Sequence, residues 1–150
     1  MLTKPIIAYR AWMLKNDSLM SLTCFWPNLW PHGVTYKTDR IPEKYNSNGI
    51  HAFKDLNNLV FYLEKERLYY DVIGQVYLWG EIVEHKNGYR AEFAYPKSLK
   101  IVHLDDMYSY PYVKNSPQYG KLNIEDEKQL QRNYGCEIIS KDNAFAIDKV

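Results

Sequence analysis

The side chains best suited to chemistry lie in residues 72–96, where charged and aromatic residues alternate. Asn87-Gly88 predicts a tight type I′ turn, because both central residues of that turn need positive φ. The run therefore predicts a long β-hairpin, and alternation along its strands would gather one set of functional groups on one face. The candidate ligand-binding residues in this hairpin are Tyr77, Trp79, Glu81, His85, Arg90 and Glu92.

A two-residue loop sets the register of the predicted hairpin. It would place His85 opposite Arg90 and Val83 opposite Glu92, on the face that carries Trp79. The other face would be apolar, with Val76, Leu78, Ile82, Ala91, Phe93 and Tyr95. Most charged strand faces are simply solvated and carry weak ion pairs of about 0.2–1 kcal/mol. The density of aromatic side chains favours a ligand-binding face instead.

Arg10 is a charged residue inside an apolar run, residues 5–14, that predicts a strand. A guanidinium in such a place must pair with a carboxylate or reach water. It would pair with a glutamate such as Glu81 or Glu92, or hold an anion through a bidentate contact. Arg10 is therefore added to the candidate ligand-binding residues.

Three sequence runs carry a resemblance to a known family. They are GIHAF at 49–53, VIGQVYLWGEIVEHKNGYRAEFAYP at 72–96 and RNYGCEI at 132–138. Together they resemble a family of small uncharacterised bacterial and phage proteins with the signature GIYA…VxGxVxLWGxVVEHExGYRAExAYP. The resemblance implies a soluble protein and no particular reaction. The chain differs from the signature at His51, where the family has tyrosine, and at 45–48, where many members carry cysteines that could bind metal.

Composition limits the classes of function. The 150 residues suit one domain, 1–150, and a net charge of +1 provides no long-range attraction to nucleic acid or an anionic membrane. Apolar runs fall short of the ~20 residues that span a bilayer, and the N-terminus lacks a secretory signal, so a cytoplasmic protein is expected. Cys24 and Cys136 are too few and too far apart for a disulfide framework or zinc site, and the sequence leaves open one bridge between them or two buried reduced thiols. No cofactor or metal is expected, because no binding motif for either is found.

The order of patterns predicts an α+β fold, with a mainly antiparallel, curved β-sheet or partly open barrel and two α-helices. Asp55 is a good N-cap for an amphipathic helix, and Asn123 begins a second helix that would end at Gly135. Strands are predicted at 5–14, 19–26, 33–37, 49–53, both arms of the hairpin, 98–104 and 136–140. Residues 105–120 are rich in tyrosine and predict a long functional loop.

Three functions are compatible with these patterns. The first is a small cytosolic, non-catalytic module that binds or sequesters a nucleotide-like ligand, or binds a protein partner, through the aromatic and charged face. The second is an enzyme, because YRAW at 9–12, GIHAF at 49–53 and a later strand glutamate resemble the three-strand layout of ADP-ribosyltransferases. In it Arg10 would hold the NAD phosphates and Glu81 or Glu92 the ribose. The third is a nucleic-acid-binding domain similar to PUA barrels, which the VxGxVxLxGxV rhythm suggests and the near-neutral charge disfavours. The absence of a nucleophile motif favours a non-catalytic function.

Overall fold

The computed structural model describes residues 4–22, 29–102, 122–140 and 143. The fold is α+β, as predicted, with two helices and a mixed, mostly antiparallel, curved sheet of seven strands. The elements in chain order are β1 (Ile6–Lys15), β2 (Ser18–Met20), β3 (Tyr36–Lys37), β4 (Ile50–Phe53), α1 (Leu56–Lys65), β5 (Val72–Glu84), β6 (Gly88–Ile101), α2 (Ile124–Tyr134) and β7 (Glu137–Ile138).

Four strands form a hydrogen-bonded ring that is not a regular barrel. β5 pairs with β1 and β6, and β4 closes the ring by pairing with β6 and β1. The register that joins β1 to β4 consists of one pair, Tyr9 opposite Phe53, among the residues that the structure describes. This junction, the β1–β4 seam, is therefore the weakest closure of the ring. β2 extends β1, β3 adds to β6, and β7 pairs with β6 in parallel.

Apolar side chains form two clusters on opposite faces of the sheet. The cluster inside the ring is built around Trp12, Trp30 and Leu78, and α2 covers it with Leu130. The second cluster lies beneath α1 and contains the buried residues Tyr9, Ala11, Leu56, Leu59, Leu63, Tyr70, Ile73, Val102 and Ile139. Each buried leucine or isoleucine contributes about 1.5–3 kcal/mol, so both faces of the sheet need a cover.

The predicted hairpin is confirmed, but its predicted register is wrong by two residues. Val83 lies opposite Arg90, where Glu92 was expected, and Glu84 lies opposite Tyr89. The reversal lies one residue earlier than predicted, at Lys86-Asn87, where the His85 N–H donates to the Gly88 carbonyl at 2.8 Å. The predicted type I′ turn at Asn87-Gly88 is wrong, since neither residue has positive φ and Gly88 is already paired with Phe53 of β4. A Cβ at Gly88 would lie 2.5 Å from the Ala52 carbonyl oxygen, which shows how closely the two backbones approach.

A β-bulge between Trp79 and Ile82 changes the predicted faces of the hairpin. Gly80 has a φ of +82°, which a residue without Cβ adopts readily. Beyond the bulge Trp79 lies opposite Phe93, and Tyr77 lies opposite Tyr95. Phe93 and Tyr95 therefore share the side of Trp79, whereas the uninterrupted alternation predicted them on the other face.

Both predicted helices are confirmed with their caps. The Asp55 carboxylate accepts from the Asn58 N–H, and Asn123 forms a capping box with Asp126. Gly135 ends α2 with a φ of +63°. Neither helix in the described part of the chain is long and apolar enough to cross a membrane.

The short strands differ from their predicted bounds. The strand predicted at 98–104 is the continuation of β6 through Pro96, whose missing N–H coincides with an irregular register between Gln75 and Val76. The strands predicted at 33–37 and 136–140 shorten to β3 and β7. The strand predicted at 19–26 keeps only β2, and residues 23–28, like the loop at 105–120, lie outside the described residues.

Candidate functional site

A cavity of about 560 Å³ lies between α1, β4 and the turn of the hairpin. Its volume falls within the roughly 300–1,000 Å³ of small-molecule sites. We call it the α1 cavity. Its walls are mostly apolar, with Tyr9, Ala11, Leu22, Phe53, Leu59, Tyr62, Leu63 and Leu68. One end is polar, with Arg10, Asn46, Ser47, His51, His85 and Arg90. None of the described lining residues is acidic, so the polar end carries positive charge.

Arg90 is the most deeply buried of these charged groups, with 3% of its surface exposed. Its guanidinium donates to Asn46 Oδ1 (3.0 Å), the Asn48 carbonyl (2.8 Å) and the Glu43 carbonyl (2.8 Å). Its Nε donates to His85 Nε2 at 2.9 Å. All four acceptors are uncharged groups, and no carboxylate lies within ion-pair distance of Arg90 among the described residues.

The contacts of Arg90 give the loop at 43–48 its shape. Asn46 Oδ1 also accepts from the backbone N–H of Glu43 (3.0 Å) and of Asn48 (3.1 Å). The loop is therefore tied to β6 through one guanidinium and one side-chain amide. The same geometry sets the tautomer of His85, because a ring nitrogen that accepts from Arg90 Nε cannot carry a proton.

Arg10 lies at the β1–β4 seam, next to the polar end of the α1 cavity. Its Nη1 donates to the His51 carbonyl and its Nη2 to Ser21 Oγ at 3.1 Å, while the guanidinium carbon lies 5.3 Å from the Trp30 ring centroid. It forms no ion pair with Glu81 or Glu92, the two glutamates that the sequence suggested as partners. The guanidinium instead connects β1 to β4 beyond the single residue pair that joins the two strands.

His51 connects the two arginines. It pairs with Arg90 across β4 and β6, and its Nε2 donates to the Ser47 carbonyl at 3.2 Å. Burial lowers the pKa of His51 below its usual 6.5, and the positive charges of Arg10 and Arg90 lower it further against the opposing Ser47 bond.

The remaining sequence-predicted residues lie away from the α1 cavity. Tyr77 and Trp79 form a half-exposed aromatic patch with Phe93 and Tyr95, and Trp79 stacks on Phe93 with ring centroids 5.7 Å apart. We call these four residues the aromatic patch. Tyr77, Trp79 and Tyr95 line a separate cavity with Pro5, whereas Arg90 lines the α1 cavity.

Glu81 and Glu92 lie at the bulge. Glu92 Oε1 accepts from the backbone N–H of Glu81 at 3.1 Å, so this carboxylate holds the distorted backbone beside Gly80. Neither glutamate lines the α1 cavity. The predicted site is therefore divided: Arg10, His85 and Arg90 come together, whereas Tyr77, Trp79, Glu81 and Glu92 lie elsewhere.

Sequence reasoning missed the apolar wall of the site and the loop at 43–48. The helix after Asp55 was predicted to be amphipathic, but Tyr62 and Phe53 were not connected with Arg90. The one signal in the sequence was Asn46, because an asparagine in a polar loop can bond to nearby backbone groups and fix the conformation of the loop.

Two other kinds of chemistry find no support in the described part of the chain. No group of three or more His, Cys, Asp or Glu side chains is placed to hold a metal ion there. Burial raises the pKa of the Cys136 thiol to about 11, which keeps it protonated and unreactive. Cys24 and His103 lie outside the described residues.

The α1 cavity is thus an apolar pocket with two guanidinium groups and two imidazoles at one end. A scan against protein-family models, a search of curated proteins and a search of solved structures found no match to this chain.

Proposed function

We propose that this protein is a non-catalytic binding module for a small organic anion with an apolar, flat body, a class that includes nucleotides. The proposed site is the α1 cavity. The observation that carries the proposal is the Arg90 guanidinium, which is 3% exposed and bonded only to uncharged acceptors among the described residues.

A buried cation without a counter-ion is costly to desolvate, by several kcal/mol even after relaxation. Neutral carbonyl groups satisfy its hydrogen bonds but leave its charge uncompensated. A carboxylate, sulfonate or phosphate at the polar end of the cavity would supply that charge and would also be near Arg10 and His51. Charge-assisted bonds of this kind are roughly twice as strong as neutral ones.

The apolar wall supports an organic ligand over an inorganic ion. Phe53 and Tyr62 lie with ring centroids 5.2 Å apart at the end of β4 and on α1, next to Leu59 and Leu63. A flat ring placed there would gain about 25 cal/mol for each Å² of apolar surface that it buries. Aromatic stacking on a base contributes about 1–3 kcal/mol more.

Binding without catalysis is favoured because Glu81 and Glu92 do not line the cavity. An acid–base pair, or the ribose contact of an ADP-ribosyltransferase-like site, would need one of these carboxylates beside the arginines. The proposed setting is the cytoplasm, where an unoxidised thiol such as Cys136 is the rule.

Matched anionic and neutral probes test the proposal. We expect naphthalene-1-sulfonate and AMP to raise the melting temperature, and naphthalene-1-methanol and adenosine to do so far less. At a hundredfold excess over Kd the gain is about 2.7 kcal/mol, or about 5–11 °C for a chain of this size.

The variant Arg10→Gln should weaken binding of both anions at least tenfold, since it removes one cation from the cavity wall. Arg132→Gln, an exposed arginine on α2, is the matched control and should bind like the parent protein. Equal shifts by the anions and their neutral counterparts, or no shift by any probe, would overturn the proposal.

A further inference from the structure

A second cavity adjoins the α1 cavity on the other side of the β1–β4 seam. It has a volume of about 470 Å³, and we call it the mouth cavity. Its walls are largely polar, with Arg10, Ser21, Tyr36, Thr38, Asp39, Arg40, Asn48, Gly49, Ile50 and His51. Arg10 and His51 line both cavities.

The Arg10 guanidinium reaches from one cavity toward the other. Its Nη1 donates to the His51 carbonyl, which belongs to the wall between the cavities. Its Nη2 donates to Ser21 Oγ, which lines only the mouth cavity. One delocalised cation is therefore within reach of a ligand group on either side of the seam.

The two cavities differ in the chemistry that they offer. The α1 cavity presents rings and aliphatic side chains, whereas the mouth cavity adds a second cation, Arg40, with the hydroxyl and amide groups of Thr38 and Asn48. Asp39 is the one acidic residue among the described residues that line the mouth cavity, so its charged side chains sum to a net positive charge. This composition suits a second negative group on a ligand better than an apolar one.

We infer that the ligand carries two adjacent negative groups, as a nucleoside diphosphate does, with its flat body in the α1 cavity and its outer negative group in the mouth cavity beside Arg40. This inference rests on the proposed function. Two phosphates repel each other, and a cation between them offsets that repulsion. Arg10 occupies that position, with Arg40 beyond it.

Calorimetric titration with adenosine, AMP and ADP tests the inference. We expect ADP to bind at least tenfold more tightly than AMP, since the second phosphate adds the contact with Arg40. Arg40→Ala should remove this advantage and leave the affinity for AMP within twofold. Asp39→Asn should strengthen ADP binding severalfold, because it removes the one opposing charge.

Lys128→Ala is the matched control, since Lys128 is an exposed cation on α2 that lines neither cavity. Arg40 is exposed, so its removal should leave the melting temperature unchanged and the comparison valid. Equal affinities for AMP and ADP in the parent protein would overturn the inference and leave the proposed function intact. A higher affinity for ADP than for AMP that persists in Arg40→Ala would also overturn the inference and leave the proposed function intact. Failure of every anion, naphthalene-1-sulfonate included, would overturn both.

Discussion

The two ends of the β5–β6 hairpin are built on different principles, although they belong to the same pair of strands. At the turn end, Arg90 is held by four hydrogen bonds to groups on β4's approach loop and on the turn itself. At the other end, Trp79 stacks on Phe93, and both side chains are half-exposed. A polar network requires each donor to find its acceptor, whereas stacked rings tolerate displacement.

The bulge at Gly80 separates the two ends. It places Trp79 opposite Phe93 and Val83 opposite Arg90. A single inserted residue therefore changes the pairing between the aromatic and the cationic groups, which line separate cavities. The lesson is that a candidate site read from strand alternation holds only up to the first bulge.

The largest expected effect is at the turn end. Arg90→Ala should lower the free energy of unfolding by about 3 kcal/mol or more, since it leaves the Glu43 and Asn48 carbonyls and the Asn46 amide without their donor. Urea denaturation measures the loss. Arg132→Ala on the surface of α2 should cost less than about 0.5 kcal/mol. A loss below about 1 kcal/mol for Arg90→Ala would mean that the polar network at the turn end contributes no more to stability than the aromatic patch does.

The bulge itself should show the next largest effect. Gly80→Ala places a Cβ 2.6 Å from Phe93 Cδ2 at a φ of +82°, so we expect a loss of about 2 kcal/mol in unfolding free energy. Gly135→Ala separates the two causes, because its φ is +63° with nothing within 4 Å of the new Cβ. That control should cost about 1 kcal/mol. Equal losses at the two glycines would show that the contact with Phe93 is unimportant.

A smaller effect is expected at the aromatic patch. Trp79→Ala removes the stack on Phe93 and should cost about 1 kcal/mol, while Trp79→Phe keeps a ring and should cost less. Neither variant should change the affinity for naphthalene-1-sulfonate by more than twofold, because the patch does not line the α1 cavity. A tenfold loss of affinity in Trp79→Ala would show that the two ends form one site.

The smallest effect concerns the protonation of His51. Because its pKa is lowered by burial and by nearby arginines, the folded protein binds this proton less readily than the unfolded chain does. The stabilisation from neutral His51 is complete above pH 6.5 and is lost as the pH falls below 6.5 toward the lowered pKa. Denaturation between about pH 7.5 and about pH 5.5 should show this slope, reduced in His51→Asn. An unchanged slope in that variant would contradict the assignment.

Much of the fold could be predicted because its signals are local. The caps Asp55 and Asn123 and the stop at Gly135 act within a few residues, so both helices were predicted correctly. The hairpin was also predictable, since residues that favour turns separate two strand-forming runs, but the type I′ turn predicted at Asn87-Gly88 is not formed. Its register was not, because pairing of Gly88 with Phe53 on the other edge outweighed the preference of the turn.

The candidate site was predicted in part. Arg10, His85 and Arg90 were selected for their residue types, and they do lie together. Tyr77 and Trp79 were selected with them, but these two line a separate cavity with Pro5 and Tyr95. No sequence pattern predicted that α1 would cover the same end of the sheet and supply Tyr62.

The sequence by itself determined the elements and the residue types that could bind an anion, because helix caps, apolar periodicity and turn residues act over short distances. The tertiary structure alone decided which of those residues share a cavity. That choice depends on the pairing of β4 with both β1 and β6 and on one bulge, and such contacts between distant segments leave no local pattern in the chain.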